Sequence, residues 1–198
     1  MVSLPSGQLA AVSQRLTSRW HADLPAAVGE FVRIPSISPA FDASWAERGA
    51  LEAAVTMAGR WLSDRLPDAT IRRLALPPRT PLLLCDIPAS PGVGGGKPGS
   101  ADEPVLIYGH LDKQPAGESW TRTQPFEPLL AHGSLYGRGS ADDGYAPFLA
   151  GAVIEELRRA GVGHPRVILL LETSEESSSA DLPFYLDATV SCLATRRW

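Results

Sequence analysis

His110 and Asp112 stand two residues apart behind the apolar run Val105-Leu106-Ile107-Tyr108. In a strand, residues i and i+2 share a face, so the imidazole and the carboxylate lie together where the strand runs out. A carboxylate beside a histidine fixes the tautomer and leaves the other ring nitrogen free for a metal. Two further polar clusters follow. Asp142-Asp143 ends the glycine-spaced loop Tyr136-Gly137-Arg138-Gly139-Ser140-Ala141, just before a helix, and Glu175-Glu176 comes close behind the apolar run Val167 to Leu171. One aspartate suffices to cap a helix. Two adjacent acids repel each other unless a cation or a partner offsets their charge. Neighbouring glutamates at a strand end can divide labour, one holding a metal and the other taking a proton from water. Together the three clusters predict a metal-dependent hydrolase. A donor set of histidine and carboxylates without sulfur suits zinc, manganese or cobalt.

The elements that must position these groups are legible around them. Leu9, Val12, Leu16 and Trp20 recur at helical spacing, and Pro25 starts a second helical segment carrying Val28, Phe31 and Val32. A longer helix is expected from about Ser44 to Leu66. Ile71–Leu76 and Pro81–Pro88 read as strands, Val105–Asp112 as a buried strand, Gly144–Arg159 as a helix with an apolar stripe, and 166–172 as a strand. Strand, helix, strand in that order implies a parallel pairing. The expected fold class is therefore α/β, with a mostly parallel sheet flanked by helices and the polar clusters at strand ends, where such sheets place ligands. Residues 89–103, rich in glycine and proline, read as a flexible connector. The loop Gly137-Arg138-Gly139 is not a nucleotide fingerprint, since acids rather than a phosphate cradle stand at the following helix start.

Composition excludes several classes. A net charge of −4 gives no basic footprint for nucleic acid or an anionic membrane surface. No apolar stretch approaches a membrane span, and the first residues lack the apolar core of a signal peptide, so the default expectation is a cytoplasmic protein. Cys85 and Cys192 are too few and too far apart for a disulfide framework, and Cys85 reads as a buried thiol. His21, His132 and His164 read as structural or solvent-exposed.

Three motifs carry a resemblance: Gly109-His110-Leu111-Asp112-Lys113-Gln114-Pro115, Leu135-Tyr136-Gly137-Arg138-Gly139-Ser140-Ala141-Asp142-Asp143, and Glu175-Glu176-Ser177. In order and spacing they resemble the M20 family of metallopeptidases, with Gln114-Pro115 leaning toward its dipeptidase branch. The resemblance implies a three-layer, zinc-exopeptidase-like fold and two divalent ions, zinc with manganese or cobalt as alternatives. It implies cleavage of an amide bond in a dipeptide or N-acyl amino acid by a metal-activated water. It further implies that His110 ligates a metal with Asp112 orienting it, and that Asp142 bridges the two ions ahead of a cis peptide to Asp143. Glu175 is then the general base, and Glu176 ligates alongside Asp142. The family pattern also needs a later acid, a later histidine and a dimerising lid domain. No acid follows Asp187 and no histidine follows His164. The expectation is thus the N-terminal part of a catalytic domain over 1–187, truncated and with weakened sites, plus a non-homologous tail at 188–198. A non-catalytic remnant that binds a partner through an exposed sheet edge is the alternative.

Overall fold

The computed structural model describes residues 6–92 and 104–194. The connector read over 89–103 lies outside the described residues from position 93 onward, as do positions 195–198 of the tail. Helices α1 (Ser6–Trp20) and α2 (Leu24–Val32) divide where expected, with Pro25 in the first turn of α2, where its missing N–H costs nothing. The single helix expected over 44–66 is instead two. Gly49 takes a left-handed φ of 66°, ending α3 (Trp45–Arg48) and starting α4 (Ala50–Arg65).

Strands β1 (Thr70–Leu74), β2 (Leu82–Ile87), β3 (Val105–His110) and β6 (Val167–Glu172) form one sheet in the order β1-β2-β6-β3. Between β3 and β6 come a short hairpin, β4 (Leu129–Ala131) with β5 (Ser134–Tyr136), and helix α5 (Ala146–Arg159). The crossover through α5 makes β3 and β6 parallel, as its length and helix require. The sheet as a whole is not mostly parallel, however: β1 with β2 and β2 with β6 run antiparallel. The β1–β2 connection is too short for a crossover, so the chain folds straight back. The direction of β2 against β6 is set by a chain path of some eighty residues, which no local pattern encodes.

β6 is buried along its whole length, and its unbroken Val-Ile-Leu-Leu-Leu run suits a strand covered on both faces. Leu83, Cys85, Ile87, Leu169 and Leu171 face α2, α4 and α5, with Phe31 and Phe148 in the same core. Leu82, Leu84, Ile168 and Leu170 face the other side, where Tyr185 of α6 (Leu182–Ala194) covers them. Helices on both faces of the sheet make the expected three layers. β3, by contrast, is not the buried strand its apolar run suggested. It stands at the sheet edge, with Leu106 59% exposed and Tyr108 46% exposed.

Candidate metal centre

β3 and β6 end side by side, with His110 paired in register with Glu172. Being parallel, both deliver their following residues to the same rim of the sheet. Past β3 the chain runs Leu111-Asp112-Lys113, held by the Ser36 hydroxyl donating to the Leu111 carbonyl at 2.8 Å and the Ser38 N–H donating to the Lys113 carbonyl at 3.0 Å. Past β6 it enters a single 3-10 turn, Glu175–Ser177. The Ser177 hydroxyl accepts from the Ala40 N–H at 2.8 Å and pairs with the Ser38 hydroxyl at 2.6 Å, so one segment, 36–40, steadies both chain ends.

His110 is nearly enclosed and Asp112 is wholly so. The imidazole Nδ1 lies 3.2 Å from the Asp112 carbonyl oxygen and 3.5 Å from its carboxylate, an acceptor environment that keeps the proton on Nδ1. Nε2 then faces the rim, 3.1 Å from Asp142 Oδ1 and 3.8 Å from Glu175 Oε2. The Asp112 carboxylate also accepts the backbone N–H groups of Glu175 at 3.2 Å and Glu176 at 3.0 Å. One buried acid therefore aligns the imidazole and the glutamate turn at once.

The expected residues are brought together. Ligand atoms of His110, Glu175 and Glu176 all lie within 4.8 Å of one another. Asp142 reaches the same imidazole from the α5 side, and the peptide between Asp142 and Asp143 is cis. Asp143 turns inward, its Oδ2 accepting the His110 backbone N–H at 3.2 Å. That approach requires Gly109, because a Cβ there would stand 2.6 Å from the same oxygen. Sequence reading took Gln114 only as a marker of the dipeptidase branch and gave it no role in the site, yet its amide donates to Glu176 Oε2 at 2.5 Å. The signal was available: Gln114 continues the i, i+2 alternation from His110 and Asp112. His132 lies in the β4–β5 turn and His164 packs against Arg158, both away from the rim.

The electrostatics are those of crowded negative charge around one imidazole. Burial pulls the His110 pKa down, but the hydrogen bond and charge of Asp112, with Asp143 and Glu175, outweigh it and raise the value to about 9. Desolvation raises the Asp143 carboxyl, and its acidic neighbours Asp142 and Glu175 add to the rise. Desolvation likewise raises Glu175, with Glu176, Asp112 and Asp142 adding to it. A divalent cation would relieve this repulsion. The spacing fits one too: two ligands about 2.0–2.1 Å from a tetrahedral ion stand roughly 3.3 Å apart, and the contacts of Nε2 at 3.1 and 3.8 Å bracket that value. The donors are imidazole nitrogen and carboxylate oxygen, suited to zinc, manganese or cobalt.

The three-layer α/β domain thus gathers an imidazole and several carboxylates at the ends of two parallel strands. Residues 106–191 match Peptidase family M20/M25/M40. The β-Ala-Xaa dipeptidase of Lactobacillus delbrueckii subsp. lactis is 39% identical over 90 residues, 44% of this chain and 19% of that protein. The succinyl-diaminopimelate desuccinylase of Xylella fastidiosa (strain 9a5c) is 43% identical over 82 residues, 39% of this chain and 21% of that protein. The chain thus spans about a fifth of the length of these relatives. Among solved structures, the dipeptidase Dug1p of Saccharomyces cerevisiae is similar with a TM-score of 0.65 and 24% identity, covering 91% of this chain and 38% of that one. Human carnosine dipeptidase 1 is similar with a TM-score of 0.65 and 21% identity, covering 94% of this chain and 39% of that one. At such identities the likeness is one of fold. No helix among the described residues is long and apolar enough to cross a membrane.

Proposed function

We propose that this chain carries part of the active site of a metal-dependent hydrolase that cleaves the amide bond of a dipeptide or an N-acyl amino acid. The observation that carries the reading is the convergence of His110 Nε2 with the carboxylates of Glu175 and Glu176 within 4.8 Å, at the ends of the parallel pair β3 and β6. The family match supports it. So do the relatives' names: a dipeptidase and a desuccinylase share amide hydrolysis as their chemistry.

In this reading His110, Asp142 and Glu176 would hold divalent metal, zinc by family precedent. When bound, the metal supplies positive charge that polarises the scissile carbonyl and acidifies water. Asp112 keeps the His110 proton on Nδ1 and so keeps Nε2 available. Gln114 fixes one Glu176 oxygen. Glu175, partly open to solvent and with its carboxyl raised above the ordinary value by desolvation, takes a proton from the attacking water and returns it to the departing amine.

Isothermal titration calorimetry with zinc tests the site directly, on the chain itself and on the His110→Ala and Glu176→Ala variants. The expected result is zinc binding that weakens at least tenfold in each variant. Equal binding in all three proteins would sink the proposal.

A further inference from the structure

Glu172, the last residue of β6, plays no part in the chemistry above, yet its side chain is among the most enclosed charged groups in the protein, 2% exposed. A carboxylate removed from water needs partners for its oxygens. Three hydroxyls supply them. Tyr108 Oη donates to Oε1 at 2.5 Å, Ser179 Oγ donates to the same oxygen at 2.8 Å, and Ser174 Oγ donates to Oε2 at 3.0 Å.

The positions of these donors matter more than their number. Ser174 and Ser179 lie on either side of the 3-10 turn Glu175–Ser177, so the two oxygens of one carboxylate grip both flanks of the turn. Tyr108 stands on β3, two residues before His110. Within the grip, the N–H groups of Ser177 and Ser179 both donate to the Ser174 carbonyl, at 3.1 and 2.9 Å. Ser178 and Ser179 take left-handed φ values of 66° and 51°. Serine enters that region at a cost, and it persists only where surroundings hold it. The Ser179 hydroxyl bond to Glu172 is one such hold, and the N–H bonds from Glu175 and Glu176 to Asp112 are the other.

We propose that Glu172 is a positioning residue that clamps the Glu175–Ser177 turn and so holds Glu175 and Glu176 in place against His110. The inference rests on the metal-site reading for its functional meaning, but the clamp has a readout of its own. A general loss of stability would loosen the whole sheet, whereas loss of the clamp loosens the turn first.

The experiment pairs amide hydrogen exchange on the metal-free chain with zinc calorimetry, for the parent, Glu172→Gln and Ser179→Ala. In Glu172→Gln the amides of Ser177 and Ser179 are expected to exchange at least tenfold faster, while those of Val167–Leu171 keep the parent rate. Zinc affinity is expected to fall about tenfold or more, the usual consequence of losing a partner that orients ligands. The visible spectrum of bound cobalt shifts in parallel as the ligand set distorts. Ser179→Ala removes one donor of the clamp and gives a smaller change at the same amides; it decides the matter if Glu172→Gln does not fold. Turn amides that exchange at the parent rate in both variants overturn the proposal, as does a parent that binds zinc but no more tightly than Glu172→Gln does. Should the parent bind no zinc at all, the metal reading fails by itself, and the exchange rates still decide whether the clamp exists.

Discussion

Lys113, next to Asp112, has no exposed surface. Its ammonium donates to the carbonyls of Phe31 at 2.7 Å, Val32 at 3.3 Å and Ile34 at 2.6 Å, capping the end of α2 where unpaired carbonyls and the helix dipole favour a cation. It also lies 4.0 Å from the centre of the Phe31 ring. Burial nonetheless pulls its pKa from the ordinary 10.5 down to about 7. Above about pH 7 the folded chain releases this proton, while the unfolded chain holds it until about pH 10.4. Unfolding then takes up a proton, so the stability contributed by this group rises with pH across that window. Below about pH 7 both states are charged, and the cost of burying the charge is felt in full. Replacing Lys113 with methionine removes both the charge and the donors to three carbonyls. The expected cost is about 1–3 kcal/mol at pH 9, and it should be smaller at pH 6.5, as measured by urea unfolding of both proteins at the two pH values. A cost independent of pH would mean that the lysine titrates normally. Nothing in the sequence around Lys113 signals its burial. His110, Asp112, Glu175 and Glu176 were legible because apolar runs pointed at them, and Asp142 because it is paired with a second acid just before a helix, whereas Lys113 and Glu172 depend on partners far along the chain.

Between elements, the contact that fixes α1 on α5 is a charge cluster around one buried acid. Glu156 on α5 is 1% exposed and receives Arg15 at 3.0 Å, Arg19 at 3.3 Å and Arg159 at 2.7 Å. Arg19 is held further by Asp23 and Glu155, with its pKa raised chiefly by the Asp23 hydrogen bond. Glu156→Ala removes a carboxylate shared by three guanidinium groups at a helix interface, but Arg19 keeps Asp23 and Glu155, Arg159 keeps Glu155, and the arginines retain some access to water. The expected loss is therefore about 2–3 kcal/mol, below the full penalty of a wholly buried pair. Thermal unfolding followed by circular dichroism measures it, and a loss under about 0.5 kcal/mol would place the cluster with ordinary surface ion pairs. Elements themselves were easier to read than their relations. The 3.6-residue stripes gave α1, α2 and α5, because each buries one face. The β4–β5 hairpin escapes a sequence reading, since strands of three residues leave almost no alternation to detect; the His132-Gly133 dipeptide at its turn is the available cue. The antiparallel entry of β2 left no local trace at all.

At the scale of the whole molecule, the sheet ends in an edge that nothing among the described residues pairs. β3 carries no charged residue before His110, and Leu106 and Tyr108 are largely exposed along it. Beside it runs an apolar groove of about 420 Å³ lined by Ile107, Tyr108, Tyr145, Leu149 and Val153 and touching the candidate centre only through Asp143. An uncharged apolar edge strand is a template for another strand, and sheet proteins blunt such edges with lysine, proline or a cover. A second copy of the chain offers the same uncharged strand, and antiparallel pairing about a two-fold axis is self-complementary. The chain is therefore expected to self-associate with rising concentration in sedimentation velocity runs, and Leu106→Lys is expected to abolish most of that association. Because Leu106 is exposed, the substitution should change stability by no more than about 0.5 kcal/mol. Leu9→Lys, on the exposed side of α1 at 55% exposure, is the matched control. Both substitutions move the formal net charge from −4 to −3, a step toward neutrality that by itself favours association. A loss of association confined to Leu106→Lys can then only come from the strand edge, and association that persists in Leu106→Lys would place the contact elsewhere on the surface.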